Sequence, residues 1–215
     1  ASEQPKIRIR FSTSNPQDMS LDVIHTMAKH KNICKSIHLP VQSGSNNILK
    51  KMNRQHTREE YFELINNIKK LIPDCGISHD MITGFPTETN QDHQDTLDLM
   101  RRVKYDYGFM FVYSERPGTM AARKIKDNIP EAVKKKRLEE IINLQREHSN
   151  FRTNQYLGKN VTVLIEKASK KSSDFWSGRT TQNTVVVFPK QNYKVGDFVD
   201  VLIENCTSAT LIGSA

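Results

Sequence analysis

Apolar positions along the chain follow two different rhythms. Lys6-Ile7-Arg8-Ile9-Arg10-Phe11-Ser12 alternates, with Ile7, Ile9 and Phe11 on one side and the arginines on the other, so it predicts a strand. Ser36 to Gln42 alternates again, Ile77 to Thr83 is a third such run, and Phe109, Phe111 and Tyr113 mark a fourth. Between these runs the period lengthens to that of a helix. Asp18 to Lys29 can be helical, and Ile48, Leu49 and Met52 mark a short helix. Thr57-Arg58-Glu59-Glu60 has capping-box spacing ahead of Tyr61, Ile65, Ile68 and Ile72, which recur until Pro73. Leu97, Met100 and Val103 repeat likewise from about Asp92. Strands alternating with helices imply a parallel sheet built from right-handed units. A complete barrel of this kind needs about eight units and roughly 250 residues. Four strands are therefore a small open sheet or part of a barrel.

A further helix is predicted from Asn128-Ile129-Pro130-Glu131 to about Gln155, with Pro130 in its first turn and Val133, Ile141, Leu144 and Phe151 as apolar positions. Beyond Leu157-Gly158 the rhythm is all β. Val161, Val163 and Ile165 alternate, Thr184 to Phe188 is β-branched and apolar, and Val195-Gly196-Asp197 turns into Phe198, Val199, Val201 and Ile203. Leu211-Ile212 closes the series, and Lys167 to Asp174 reads as a polar loop. Short strands this close together predict a small antiparallel β-barrel of the OB-like kind. The expected fold class is thus α/β, a partial (βα) barrel followed by a small β-barrel, with one domain over 1–152 and a second over 153–215.

Composition narrows the function. The 215 residues carry a net charge of +8 at a pI of about 9.4, which favours an anionic partner such as nucleic acid, although solvated lysines alone would give the same count. No apolar run reaches membrane-spanning length and no signal peptide opens the chain, which points to the cytoplasm and away from a membrane. Cys34, Cys75 and Cys206 are far apart and odd in number, so they predict neither disulfides nor a metal site but inert thiols in a reducing compartment.

Three strand ends carry candidate chemistry, because ligands bind where strands of a parallel unit give way to helices. His38-Leu39-Pro40-Val41-Gln42-Ser43-Gly44-Ser45 offers an amide, hydroxyls and backbone N–H groups suited to a carboxylate or phosphate; it is equally an ordinary turn with a helix cap. Asp80-Met81-Ile82-Thr83-Gly84-Phe85-Pro86-Thr87-Glu88-Thr89 is built alike, with Gly84 allowing close approach and Asp80 able to bind a hydroxyl or cation, while Glu88 alone reads as a helix-start residue. In Tyr113-Ser114-Glu115-Arg116-Pro117-Gly118-Thr119, Arg116 can match a phosphate or carboxylate or simply occupy a surface turn. Arg8 and Arg10 face either a barrel interior that holds an anion or solvent. Lys134-Lys135-Lys136-Arg137 is a solvated helix face or a nucleic-acid contact. Trp176 and Arg179, near Lys170 and Lys171, combine rings with cations as single-stranded RNA binders do; a tryptophan folded onto a small core is the alternative.

In this order, Arg8 to Pro16, His38 to Ser45, Met52-Asn53-Arg54, Asp80 to Thr89 and Tyr113 to Ala122 resemble the methylthiotransferase family of radical-SAM enzymes. Gly178-Arg179-Thr180, Lys194-Val195-Gly196-Asp197 and Leu211-Ile212-Gly213 resemble the TRAM module at that family's C-terminus, which implies a small RNA-binding barrel; Lys170, Lys171, Trp176 and Arg179 are its candidate RNA-binding residues by their rings and charges. His93 to Leu97 and Phe109 to Thr119 are most similar to the MiaB type, whose members add a methylthio group to C2 of isopentenyladenosine beside the tRNA anticodon, at position 37 in tRNA numbering. The resemblance implies a barrel of six strands, of which the last four fall here. It also implies S-adenosylmethionine, two [4Fe-4S] clusters whose cysteines are expected upstream of Ala1, a tRNA anticodon stem-loop as substrate and an electron-donor protein. S-adenosylmethionine contacts carried over by resemblance are Arg10, Ser12, Gln42, Ser43, Asp80 and Gly84, with Arg116 as a further candidate. The chain by itself is expected to be inactive. Two other readings stand beside this one: an RNA-binding protein without catalysis, and a sister methylthiotransferase acting on threonylcarbamoyladenosine or a ribosomal protein.

Overall fold

In the computed structural model the described residues are 1–12 and 15–215; Thr13 and Ser14, inside the Arg8–Pro16 motif, lie outside them. The first body contains α1 (Leu21–Lys29), β1 (Ser36–His38), α2 (Asn46–Lys51), α3 (Arg58–Leu71), β2 (Gly76–Thr83), α4 (Asn90–Val103), β3 (Tyr107–Val112), α5 (Met120–Lys124) and α6 (Glu131–Asn154). Its sheet has the order β1-β2-β3 and is parallel throughout, with His38 beside Ser78 and Asp80 beside Phe109. Alternation sends Ile37, Ile77 and Met81 into the helix-covered core, together with Ile65 and Ile68 of α3 and Met100 of α4. It sends His38, Ser78, Asp80, Phe109 and Phe111 to the opposite face, where both phenylalanines remain 52% exposed.

The helix starts follow their local chemistry. Thr57 and Glu60 form the predicted capping box, with Thr57 N–H donating to Glu60 Oε2 at 2.7 Å. Thr89 and Asp92 form a second one at α4. Burial works against the Asp92 carboxylate, yet bonds from Ser45, Thr89 and Asn47 outweigh it and hold its pKa below the ordinary value. Ser20 caps α1, so the helix expected from Asp18 begins at Leu21, after a 3-10 turn at Pro16–Asp18. Pro130 is the N-cap of α6 and not a residue of its first turn. The buried face of α6 is polar, with Lys134, Arg137, Gln145 and His148, while Phe151 lies exposed beneath Lys104.

The expected first strand is corrected. Lys6 to Ser12 contributes a single bridge, Ile9 to Ile33, and Ile7 and Phe11 are 54% and 37% exposed. Alternation specifies two faces but supplies no partner. Here the arginine side reaches the second body instead: Arg8 donates to the Arg179 carbonyl and stacks on Phe198, and Arg10 pairs with Glu166 at 2.8 Å.

That second body is a closed barrel of β4 (Asn160–Ala168), β5 (Phe175–Arg179), β6 (Val185–Pro189), β7 (Phe198–Cys206) and β8 (Thr210–Ser214), in the order β4-β5-β6-β8-β7. Its core is Val163, Ile165, Val186, Phe188, Val201, Ile203 and Leu211. The loop joining β5 and β6 docks on the N-terminal ends of the parallel strands. Lys35 N–H donates to Thr181 Oγ1 at 3.2 Å and Asn183 Nδ2 to the Tyr107 hydroxyl at 3.4 Å.

Candidate functional site at the strand ends

The C-terminal ends of the sheet frame a cavity of about 920 Å³ whose lining includes Gln42, Asp80, Phe111, Tyr113 and Arg116. Gln42 continues the sheet by one bridge, its N–H bonding the Asp80 carbonyl at 3.0 Å and its own carbonyl accepting from Ile82 at 2.9 Å. It does so at φ 71°, a left-handed conformation disfavoured for a side chain this size and common at ligand sites. Asp80 Oδ1 stands 3.3 Å from His38 Nε2, and His38 Nδ1 lies 3.0 Å from Ser78 Oγ. Carboxylate, imidazole and hydroxyl thus form a row across the open face of the sheet, with Phe109 edge-on to the imidazole at 6.0 Å.

Gln42, Asp80 and Arg116 are brought together. Ser43 and Gly84 stand behind them. Ser43 Oγ faces Thr96 Oγ1 at 3.4 Å and accepts from Ser45 N–H at 3.2 Å, wholly buried. Gly84 adopts φ 71° and donates its N–H to Glu88 Oε2 at 2.8 Å; a Cβ there would sit 2.4 Å from Lys134 Cγ. Glu88 does not cap α4; it joins this loop to α6 by pairing with Arg137 at 2.7 Å. Arg10, held by Glu166, and exposed Ser12 do not line the cavity.

The basic run on α6 is divided in the same way. Lys134 is buried between Asp127 (2.6 Å) and Glu131 (2.9 Å), and Arg137 is spent on Glu88, which leaves Lys135 and Lys136 in solvent. On the barrel, Lys170 and Lys171 are exposed in the turn before β5. Trp176 is half-buried against the barrel core, and the cation over its ring is Lys190, at 4.5 Å, a residue with no signal in the local pattern. The Arg179 side chain is tied down within the barrel, bonding the Asn183 carbonyl at 2.9 Å and Glu166 at 3.3 Å, and its backbone carbonyl accepts from Arg8. Lys50, Lys51 and Arg54 also line the strand-end cavity; Asn53, which favours a left-handed helix end, is the signal that could have found them.

Among the described residues no group of three or more His, Cys, Asp or Glu is placed to hold a metal ion. Cys34 and Cys75 are buried, and burial pushes the Cys75 thiol up to about 12, so these residues do not fit an iron–sulfur cluster. The cavity does fit an organic ligand with mixed charges: it offers an amide, a carboxylate and guanidinium groups, and the buried Tyr113 hydroxyl finds no partner among the described residues. No helix of the described residues is long and apolar enough to cross a membrane.

Residues 1–100 match the family model described as the Radical SAM superfamily, and residues 154–215 match that of the TRAM domain. The chain is 70% identical over 213 residues, 99% of its length and 44% of the relative's, to the tRNA-2-methylthio-N(6)-dimethylallyladenosine synthase of Christiangramia forsetii. It is 63% identical over 98% of its length to the enzyme of the same name from Flavobacterium johnsoniae, again covering 44% of that protein. The chain therefore spans about half the length of the curated relatives it matches. A solved structure of coproporphyrinogen III oxidase (HemN) from Escherichia coli, a radical SAM enzyme, superposes with a TM-score of 0.54 at 17% identity, over 81% of this chain and 46% of that one, and shares the fold.

Proposed function

We propose, for a chain that belongs to the radical-SAM methylthiotransferase family, that it forms part of a tRNA-modifying enzyme acting on N6-isopentenyladenosine at position 37, beside the anticodon. Identity of 70% over almost the whole chain to a synthase of that name carries the reading. The boundary at residues 152/153 separates a segment that shapes the reaction chamber from a TRAM module that adds RNA affinity through Lys170, Lys171, Trp176 and Lys190.

S-adenosylmethionine is the cofactor this reading requires at the strand ends, where it supplies radical chemistry and a methyl group. Gln42, Asp80 and Arg116 would hold it; Asp80 suits its cationic end and Arg116 its carboxylate. Ser43 and Gly84 act from behind, by fixing the loop that follows Gln42 and the loop that follows the strand of Asp80. The two iron–sulfur clusters and the electron donor engage parts of the protein other than these residues, and tRNA places the work in the cytoplasm.

Mass spectrometry of tRNA nucleosides from a strain lacking the protein tests the reading. The 2-methylthio derivative of N6-isopentenyladenosine should disappear and its unthiolated precursor accumulate. Retention of the derivative, or loss of a threonylcarbamoyl-based one instead, would refute it.

A further inference from the structure

Helix α2 ends in a left-handed turn that carries its cations toward the strand ends. Asn53 takes the left-handed conformation at φ 57°, Arg54 N–H returns to the Leu49 carbonyl at 2.9 Å, and Asn53 N–H to the Lys50 carbonyl at 3.1 Å. These two bonds are the Schellman closure, and they turn the chain sharply back toward the strand ends. Lys50, Lys51 and Arg54 thereby line the same cavity as Arg116, which arrives from the loop after β3.

The charge there is unbalanced. Four cations line the cavity against one carboxylate, Asp80, which already faces His38. Among the described residues none of the four is in an ion pair; Lys51 donates to the neutral Thr87 hydroxyl at 2.5 Å. Arg54 Nε is buried and has no partner among the described residues. Lys50 and Lys51 also complement the carbonyl end of α2, but Arg54 lies beyond the helix and Arg116 on another loop, so the helix dipole accounts for neither. Lys50 and Arg116 are exposed and Lys51 and Arg54 half-buried, so the surplus charge is open to an anion arriving from solvent. S-adenosylmethionine is a poor candidate for that anion, because its sulfonium and ammonium outnumber its carboxylate. A polyanion matches the surplus.

We propose that Lys50 and Arg54, with Lys51 beside them, form a phosphate-binding rim that grips the RNA backbone next to the nucleoside entering the strand-end cavity, while Arg116 across the cavity stays with the cofactor. This rests on the tRNA reading above and adds to it where on the catalytic segment, apart from the TRAM barrel, the RNA is held. Backbone conformation around the rim supports a built feature: Gln42, Asn53 and Thr87, three of the non-glycine residues with positive φ, surround it.

The test uses the full-length protein and a synthetic anticodon stem-loop RNA carrying N6-isopentenyladenosine, with RNA affinity read by fluorescence anisotropy across a salt series and S-adenosylmethionine affinity by calorimetry. The double variant Lys50→Ala/Arg54→Ala should bind the RNA about tenfold more weakly at low salt, with a salt slope lower by about 1 to 2, as expected when two phosphate contacts are lost. S-adenosylmethionine affinity should be unchanged. Because Arg54 is partly buried, Lys50→Glu serves as a surface control and should weaken RNA binding with an unchanged Tm. Unaltered RNA affinity and slope in both variants would overturn the proposal, as would a selective loss of S-adenosylmethionine binding, which would assign the cations to the cofactor. If the wild-type protein fails to bind the RNA at all, the tRNA reading falls too; intact wild-type binding with unaffected variants removes only the rim.

Discussion

A single buried imidazole shows how much one residue sets in this sheet. His79 is fully buried between the sheet and α6, with Nε2 2.9 Å from Gln145 Oε1, and Gly108 beside it leaves room for the ring: a Cβ there would lie 2.2 Å from Nε2. Burial lowers its pKa to about 4, with the bond to Gln145 opposing only in part. Unfolding frees the ring to take a proton near its ordinary 6.5, so between pH 6.5 and about 4 the unfolded state binds more protons and stability falls as pH drops. Above pH 6.5 the contribution is complete. The loss across that window is about 3 kcal/mol. His79→Gln should flatten the acid limb of a Tm-against-pH curve while lowering Tm at pH 7; an acid limb as steep as the wild type's would exclude His79 as its source. The candidate site was legible in the sequence to the extent that its residues lie near strand ends. Gln42 and Arg116 lie just beyond strands and Asp80 in the C-terminal half of one, and all three line one cavity. The packing of Ser43 and Gly84 depends on Thr96 and Lys134, far along the chain, which no local pattern reveals.

At the scale of elements, periodicity named the helices well because capping chemistry is local, as at Thr57 and Thr89. It over-read Lys6 to Ser12 and passed over β5, where Phe175-Trp176-Ser177-Gly178-Arg179 has aromatic and small residues but no clean alternation and is held by pairing with β4 and β6. Charge runs are the least readable of all, since Lys134 and Arg137 look like a solvated face yet are buried. The Glu88–Arg137 pair joins the Gly84 loop to α6, and Arg137 also donates to the Glu88 carbonyl at 3.0 Å and to Asn90 Oδ1 at 2.9 Å. Arg137→Ala would strand a buried carboxylate and should cost about 3 to 5 kcal/mol in denaturant unfolding. Adding Glu88→Gln removes that stranded charge and should recover part of the loss. A cost below about 1 kcal/mol for the single variant would mean that water reaches the pair.

For the whole molecule the question is how firmly two bodies are joined. Each has its own apolar core, and no residue belongs to both. The contacts between them include the hydrogen bonds and ion pair of Arg8 to the Arg179 carbonyl, Arg10 to Glu166, Lys35 to Thr181 and Asn183 to Tyr107, with Arg8 also stacked on Phe198. A cavity of about 970 Å³, lined by Arg8, Lys35, Arg152, Tyr156, Lys159 and Phe198 among others, lies between them. Half-exposed ion pairs contribute little, with typical values of about 0 to 1 kcal/mol, and a cleft open to solvent between the bodies adds little packing. Multi-domain chains joined by contacts of this kind commonly depart from a single cooperative transition. The chain should therefore unfold in two calorimetric transitions. Glu166→Ala, which removes the carboxylate shared by Arg10 and Arg179, should bring the two no closer and move each midpoint by no more than about 2 °C. A single transition that Glu166→Ala splits in two would show the opposite: that these few polar contacts bind the barrel and the sheet into one cooperative unit.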